Sequence, residues 1–182
     1  LGLGPGAVSG AELRELSDAE LKERLPRLHV FGRVTPEDKL RLARAMQEEA
    51  KKLGIEKRVV FTGWIDREEI KLAYSASDVV LVPSLYLDPF PRVVIEAMAS
   101  GKPVVGTCYG GTPEIIEDGV TGYVVNPFNT EEMAEKIIDL LKNPEKAERF
   151  GKAGRERIKT AFNLDEKIRS ILACYYNEFG IK

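Results

Sequence analysis

The sequence has little of the chemistry on which several enzyme classes depend. Its 182 residues include a single histidine, His29, and only two cysteines, Cys108 and Cys174. One histidine leaves little material for a histidine-dependent triad or a multi-histidine metal site. The two cysteines are far apart and form no metal-ligand pattern. We therefore expect no metal and no cofactor, and a reduced, cytoplasmic setting for the protein.

A strong charge of either sign and long apolar runs are also missing. Lysine and arginine number 27 against 29 acidic residues, which gives a net charge of −2. This balance predicts neither nucleic acid nor an anionic membrane surface as a partner. No apolar run approaches the roughly 18 residues of a membrane span. The first residues lack a basic segment followed by an apolar one, so we expect no secretory leader.

Strand-like and helix-like segments alternate along the whole chain. Short apolar runs of the kind found in buried parallel strands occupy residues 28–31, 59–61, 79–82, 103–106 and 121–125. This alternation predicts an α/β fold, Rossmann-like, with three α/β/α layers and a mostly parallel sheet of about five strands.

Helix-start patterns lie between these runs and after them. Capping residues predict helices that begin after Ser9 or Gly10, Ser17, Thr35, Asp66 and Thr130. A last helix is predicted over residues 164–179. Its apolar residues recur at helical spacing and predict a stripe that packs in the core, made of Ile168, Ile171, Leu172, Tyr175 and Phe179.

The most informative stretch runs over residues 77–117. It contains a buried strand, a loop with Asp88, a helix that begins after Pro91, a second buried strand and Gly110-Gly111. In parallel sheets, ligands bind beyond the carboxyl ends of the strands, and both loops of this stretch follow strand ends. The free amides of a helix N-terminus suit a phosphate. Glu96, about two turns into the helix, could accept hydrogen bonds from vicinal hydroxyls such as those of a ribose.

These residues carry a resemblance to a known family. Asp88, Glu96-Ala97-Met98, Gly110-Gly111-Thr112-Pro113-Glu114 and Gly119-Val120-Thr121-Gly122 occur in the order and spacing of one signature. The chain from about residue 48 to 182 resembles the donor-binding half of retaining glycosyltransferases of the GT-B type, the group of glycogen synthase and sucrose synthase.

The resemblance implies a role for each of these residues and a nucleotide diphosphate or nucleotide-sugar donor as partner. Asp88 would be the catalytic-site carboxylate that holds sugar hydroxyls, and Glu96 would bind the ribose. The diphosphate and sugar would lie against the backbone amides around Phe90, Arg92, Gly110, Gly111 and Thr112. Glu114 would either bind the ligand or only cap the helix that follows. Gly63 and Trp64 would lie near the nucleotide base. For Trp64, a packing role is favoured over stacking on the base.

The chain departs from the family pattern at two positions. The first acid is usually glutamate and is here the shorter Asp88. Pro91 stands where glycine is common, and a proline has no N–H to offer a phosphate.

The first third of the chain carries a different resemblance. Residues 6–47 include Phe31 and the run Arg33-Val34-Thr35-Pro36-Glu37-Asp38-Lys39-Leu40, which resembles the phosphorylation domain of P-type ATPases. The Asp-Lys-Thr-Gly nucleophile motif and the Gly-Asp-Gly-x-Asn-Asp loop of that family are absent, so we expect no ATPase activity. Arg33 and Lys39 could alternatively grip a diphosphate.

The two resemblances leave the origin of the chain and its function open. One hypothesis is a chimera, in which segments 1–47 and 48–182 form a single α/β domain; the other is a divergent natural domain. Functionally, the first expectation is the donor-binding half of a retaining glycosyltransferase, inactive alone because transfer needs a facing acceptor domain. The alternatives are a recombined or engineered scaffold without activity, and an ATPase-derived domain without its nucleophile. A surface that would face the acceptor domain could support a homodimer.

Overall fold

Two short parallel sheets organise the chain, each in its own unit. The computed structural model describes residues 7–24, 30–32, 35–63, 65–85 and 87–180. The chain divides into the units Leu1–Ile65 and Asp66–Lys182. The described residues contain five strands, two in the first sheet and three in the second. The α/β fold with parallel strands is confirmed, but the described strands form two sheets and not the single sheet of about five strands that the sequence predicted.

In the first unit, β1 (Ala7–Ser9) pairs in parallel with β2 (Val30–Gly32). Helices α1 (Gly10–Glu15) and α2 (Asp18–Arg24) follow β1. Each helix begins with a reciprocal capping pair: the Ser9 amide donates to Glu12 at 2.8 Å, and the Ser17 amide donates to Glu20 at 2.8 Å. Both predicted helix starts are therefore confirmed.

Helix α3 (Pro36–Lys52) completes the first unit. Its Arg41 donates to the backbone carbonyls of Leu13 and Leu16 and pairs with Asp18 at 2.7 Å, so it satisfies the carbonyls at the end of α1. The unit has one small buried cluster, formed by Val8, Leu13, Leu21, Leu42 and Ala45.

The prediction of a strand over residues 59–61 is wrong. The segment follows a 3₁₀ turn at Glu56–Arg58 and has no regular structure. Val60 is 83% exposed, and no described strand pairs with it. An apolar run predicts a buried strand only where a neighbouring strand or helix covers it, and the run itself does not supply that cover.

The second unit is built on a three-stranded parallel sheet. Its strands are β3 (Val80–Val82), β4 (Val104–Thr107) and β5 (Gly122–Val125), in the order β3-β4-β5. The central strand β4 is buried at every position. The intervening helices are α5 (Arg92–Ala99) and α6 (Thr112–Ile115).

Hydrophobic clusters cover both faces of this sheet, because neighbouring strand residues point to opposite sides. Val104 packs with α5 and α6 in one cluster, whose members are Tyr74, Val82, Val94, Ala97, Met98, Val104, Ile115 and Ile116. Val105 belongs to the other cluster, which contains Tyr123, Val125, Leu140 and Phe150. The predicted layers of helix, sheet and helix are present in this unit.

Four further helices belong to this unit, one before the sheet in the chain and three after it. They are α4 (Arg67–Ala76), α7 (Thr130–Lys142), α8 (Pro144–Ala161) and α9 (Leu164–Phe179). Asp66 caps α4 as predicted, whereas α7 is capped by Asn129, whose side chain accepts from the Glu132 amide at 3.1 Å, and not by Thr130. No helix in the described part of the chain is both long and apolar enough to span a membrane.

The apolar stripe of α9 is not part of the core, which corrects the prediction. The side chains of Ile168, Ile171, Leu172 and Tyr175 are all exposed and belong to none of the buried clusters. The side chain of Phe179 lies outside the described residues. Helical periodicity correctly predicted an amphipathic helix, but it carries no information on whether another element covers the apolar face.

A polar network on α7 and α8 predicts a loss of stability in acid. The Asp139 carboxylate accepts from Lys146 at 2.7 Å and from the Tyr123 hydroxyl at 2.7 Å, and these bonds hold the pKa of Asp139 below its ordinary value of 3.8. A carboxylate with a lowered folded-state pKa stabilises the fold above its unfolded pKa, and this stabilisation is lost as the pH falls through the folded value.

We therefore expect the unfolding temperature to fall steadily as the pH drops below about 4, with a shallower fall for Asp139→Asn than for the unchanged protein. Thermal unfolding followed by circular dichroism between pH 2 and 7 measures this. Equal slopes for the two proteins would show that the Asp139 bonds add nothing to stability.

Candidate functional site

The loops that follow β3 and β4 are joined at the carboxyl edge of the sheet. Thr107, the last residue of β4, donates its hydroxyl to the Ser84 carbonyl at 2.6 Å. The Gly111 amide donates to the Asp88 carbonyl at 2.8 Å. The structure thus brings together the Asp88 loop and the Gly110-Gly111 loop, which the sequence predicted as two parts of one site.

Both glycines are required by the closeness of these two loops. A Cβ atom on Gly110, whose φ is +61°, would lie 2.0 Å from the Asp88 carbonyl oxygen. A Cβ atom on Gly111 would lie 2.1 Å from the Pro89 carbonyl oxygen. The sequence predicted that these glycines let their own backbone come close to a ligand. In the structure they instead lie close to the backbone of Asp88 and Pro89.

Two of the amides assigned to the diphosphate already have acceptors within the protein. The Phe90 amide donates to the Asp88 carboxylate at 3.1 Å, and the Gly111 amide donates to the Asp88 carbonyl. Asp88 therefore organises its own loop. A phosphate that uses the Phe90 amide would have to displace the Asp88 side chain. Thr112 is the first residue of α6 and directly follows Gly111.

Helix α5 presents an N-terminus that no side chain caps, because its N-cap residue is Pro91. Arg92 opens the helix, and 73% of its side chain is exposed. The guanidinium lies 3.4 Å from Oε1 of Glu96, one turn further along. The Glu96 side chain is 41% exposed, so solvent reaches this carboxylate. It lies on the helix that begins directly after the loop following β3.

Tyr74 on α4 is a residue of this site that the sequence did not indicate. Its hydroxyl donates to Oε2 of Glu96 at 3.2 Å, and the residue is only 7% exposed. Burial, followed by the charge of Glu96, raises the pKa of Tyr74 to about 12. The available signal was weak: Ile70 and Tyr74 are four residues apart on an amphipathic helix, which predicts only that they share a face.

Arg157 on α8 was also not indicated by the sequence. It donates to the Ile115 carbonyl at 2.9 Å and to the Glu114 carbonyl at 3.0 Å, which satisfies the end of α6. The Glu114 side chain itself is exposed, in the first turn of α6. The Arg157 guanidinium also lies 5.7 Å from the Phe162 ring centroid, and that ring is 5.6 Å from Phe90.

The remaining residues singled out in the sequence belong to the first unit, are not described, or are cysteines. Gly63 has a φ of +69° with open space around it. Trp64, Arg33 and His29 lie outside the described residues, as does the side chain of Lys39. Cys108 is exposed in the loop after β4, and Cys174 is exposed on α9.

Comparison with known proteins assigns the chain to one family. The model of the family described as glycosyl transferases group 1 matches residues 13–157. The spore coat protein SA of Bacillus subtilis is 33% identical over 159 residues, which is 87% of this chain and 37% of that protein.

Solved structures with a similar fold include proteins that are 28–30% identical to this chain. Sucrose-phosphate synthase from Thermosynechococcus elongatus superposes with a TM-score of 0.71 at 30% identity, covering 99% of this chain and 47% of that one. Anabaena HepE in complex with UDP superposes with a TM-score of 0.67 at 28% identity, covering 78% and 39%. HepE has also been solved with UDP-glucose. The chain thus spans less than half the length of each of these relatives.

The family match begins at residue 13, inside the segment that resembles the P-type ATPase phosphorylation domain. A solved structure also covers that segment, since the match to sucrose-phosphate synthase extends over 99% of the chain. These comparisons therefore give no support to a graft from another family.

Proposed function

Since the chain belongs to the group 1 glycosyl transferases, we propose that it is the donor-binding half of a retaining glycosyltransferase and binds a nucleoside diphosphate sugar at the carboxyl edge of its three-stranded sheet. One observation carries the proposal: the uncapped N-terminus of α5 and the exposed carboxylate of Glu96 stand on the same helix. Arg92 and Glu96 are about 6 Å apart along the axis, so one helix offers a phosphate site and a hydroxyl acceptor one turn apart.

The bound donor would lie along this helix. Its diphosphate would meet the positive end of α5 and the Arg92 guanidinium, which favour an anion. The ribose would hydrogen-bond with Glu96, and the sugar would lie over the joined loops near Asp88. The UDP and UDP-glucose complexes of HepE make a uridine nucleotide the first one to test.

The transfer step requires a second half. As the bond between the sugar C1 and the diphosphate oxygen breaks, its electron pair goes to the diphosphate. The oxygen of the acceptor hydroxyl bonds to C1, and its proton passes to the leaving diphosphate. Positive groups at the α5 N-terminus stabilise the developing charge on the leaving group. The acceptor must be held against the donor, and the relatives are more than twice as long as this chain. We expect the chain alone to bind the donor without efficient transfer.

A second candidate is an α/β scaffold without activity. The observation that favours it is that the Phe90 and Gly111 amides, which the donor diphosphate would use, already donate to Asp88. A recombined or divergent domain could keep this closed loop and no longer bind a ligand.

The third alternative is an ATPase-derived domain. An active domain of that kind would release phosphate from ATP, and we expect no such release.

Calorimetric titration with UDP, GDP and ADP distinguishes the first two candidates. Donor binding predicts saturable heat with one diphosphate, and the one that binds identifies the base. No heat with any of the three, from protein that unfolds cooperatively on heating, would reject donor binding and leave the scaffold.

A further inference from the structure

We infer that Tyr74 is a positioning residue, which holds the Glu96 carboxylate in the orientation that receives the two vicinal hydroxyls of the donor ribose. This inference rests on the proposed function. It concerns a side chain that touches no ligand and acts only through Glu96.

The ring of Tyr74 is fixed by the core. It packs in the buried cluster with Val94, Ala97 and Met98, the residues of α5 that flank Glu96. The hydroxyl reaches from this cluster to Oε2 of Glu96 at 3.2 Å. A glutamate side chain has several rotatable bonds, and an ordered partner reduces the conformational entropy that ligand binding must otherwise remove.

The two oxygens of Glu96 have partners of different strength. Oε1 faces Arg92 at 3.4 Å; the Arg92 side chain is exposed and that of Glu96 is partly exposed. Exposed ion pairs contribute little and can open at small cost. The Tyr74 hydroxyl cannot leave Oε2 in the same way, because the ring to which it belongs is buried. Arg92 is therefore the partner that a ribose hydroxyl replaces, and Tyr74 is the one that stays.

The carboxylate keeps enough acceptor capacity for a ribose. Two carboxylate oxygens offer about four lone-pair sites, and Tyr74 occupies one of them. The raised pKa of Tyr74 keeps the phenol protonated at neutral pH, so its hydroxyl retains the proton that it donates to Glu96.

A purely structural role is the alternative, and the same chain contains a matched control for it. Tyr123 is also 7% exposed, and its hydroxyl also donates to a carboxylate, that of Asp139 at 2.7 Å. Tyr123 belongs to the cluster on the opposite face of the sheet. Tyr123→Phe therefore removes a similar hydrogen bond without touching the site.

The test compares two nucleotides on three proteins. The three proteins are the unchanged protein, Tyr74→Phe and Tyr123→Phe. Each is titrated with UDP and with 2′,3′-dideoxy-UDP. If the calorimetric titration selects GDP or ADP in place of UDP, that nucleotide and its dideoxy form are used. For Tyr74→Phe we expect about tenfold weaker binding of the ribose form. Binding of the dideoxy form, which lacks the two hydroxyls, should be almost unchanged. Tyr123→Phe should bind both forms as the unchanged protein does.

A double-mutant cycle provides a second readout. Because Tyr74 acts through Glu96, Tyr74→Phe should have no further effect on affinity when Glu96→Ala is already present. Unfolding temperatures measured in parallel show that each variant is folded. Glu96→Gln, which leaves the core unchanged, tests the ribose contact even if Tyr74→Phe proves unstable.

The outcomes separate this inference from the proposed function. If the unchanged protein binds a diphosphate and folded Tyr74→Phe keeps its full preference for the ribose form, the positioning role is wrong and donor binding stands. The same holds if Glu96→Gln leaves that preference intact. If the unchanged protein binds no diphosphate, the proposed function fails and this inference fails with it.

Discussion

Replacement of Glu96 by alanine is expected to weaken binding of the nucleoside diphosphate about 100-fold, or roughly 2.7 kcal/mol. The variant loses the acceptor for two ribose hydroxyls, and a hydrogen bond to a charged group contributes about 1.5–3 kcal/mol. Loss of the Arg92 pair adds little, because the Arg92 side chain is exposed and solvent screens the pair. Calorimetric titration of the two proteins with the selected diphosphate measures the effect.

The same substitution should also lower stability, for a separate reason. It leaves the buried Tyr74 hydroxyl without its acceptor, which costs about 1–3 kcal/mol. Glu96→Gln is the matched control, because the amide oxygen can still accept from Tyr74 while the negative charge is gone. We expect its unfolding temperature to be close to that of the unchanged protein and its affinity to be reduced. If Glu96→Ala binds the diphosphate as tightly as the unchanged protein, Glu96 is not the ribose acceptor.

Gly151→Ala is expected to destabilise the Asp66–Lys182 unit by about 3 kcal/mol or more. A Cβ atom on Gly151 would lie 2.0 Å from the Gly101 carbonyl oxygen. Backbone cannot move aside as a flexible side chain can, so α8 would have to separate from the turn between α5 and β4. We expect the unfolding temperature to drop by about 10 °C, measured by calorimetry or circular dichroism.

Gly154→Ala, one turn further along the same helix, is the matched control. A Cβ atom there would make an ordinary contact of 3.4 Å with the Met98 side chain. Alanine favours a helix interior over glycine by up to about 1 kcal/mol, so this variant should be as stable as the unchanged protein or slightly more stable. Similar unfolding temperatures for the two alanine variants would show that α8 does not pack against the turn as closely as described.

The features that were predictable from sequence are those in which the interacting groups are close in the chain. The capping pair of Asp66 and Glu69 is one example, since the Asp66 amide donates to Glu69 at 2.9 Å across three residues. The Asp88 loop and Gly110-Gly111 were also predictable as one site, because consecutive parallel strands end at the same edge of a sheet.

The features that were not predictable depend on partners that are distant in sequence. Tyr74 is 22 residues from Glu96, and Arg157 is 43 residues from Glu114. Nothing local in the sequence selects these pairs, because the packing of α4 and α8 against the sheet brings them together. The errors at residues 59–61 and along α9 have the same origin, since an apolar pattern indicates a face and does not identify the element that would cover it.

The position of Cys108 gives direct access to the loops at the sheet edge. The side chain is exposed in the loop after β4, two residues before Gly110, and its backbone amide is anchored to the Val125 carbonyl at 2.9 Å. The sequence has only one other cysteine, Cys174 on α9. A Cys174→Ser protein could therefore carry a single thiol-linked fluorophore or nitroxide beside the joined loops, and opening of those loops would become an optical or magnetic signal.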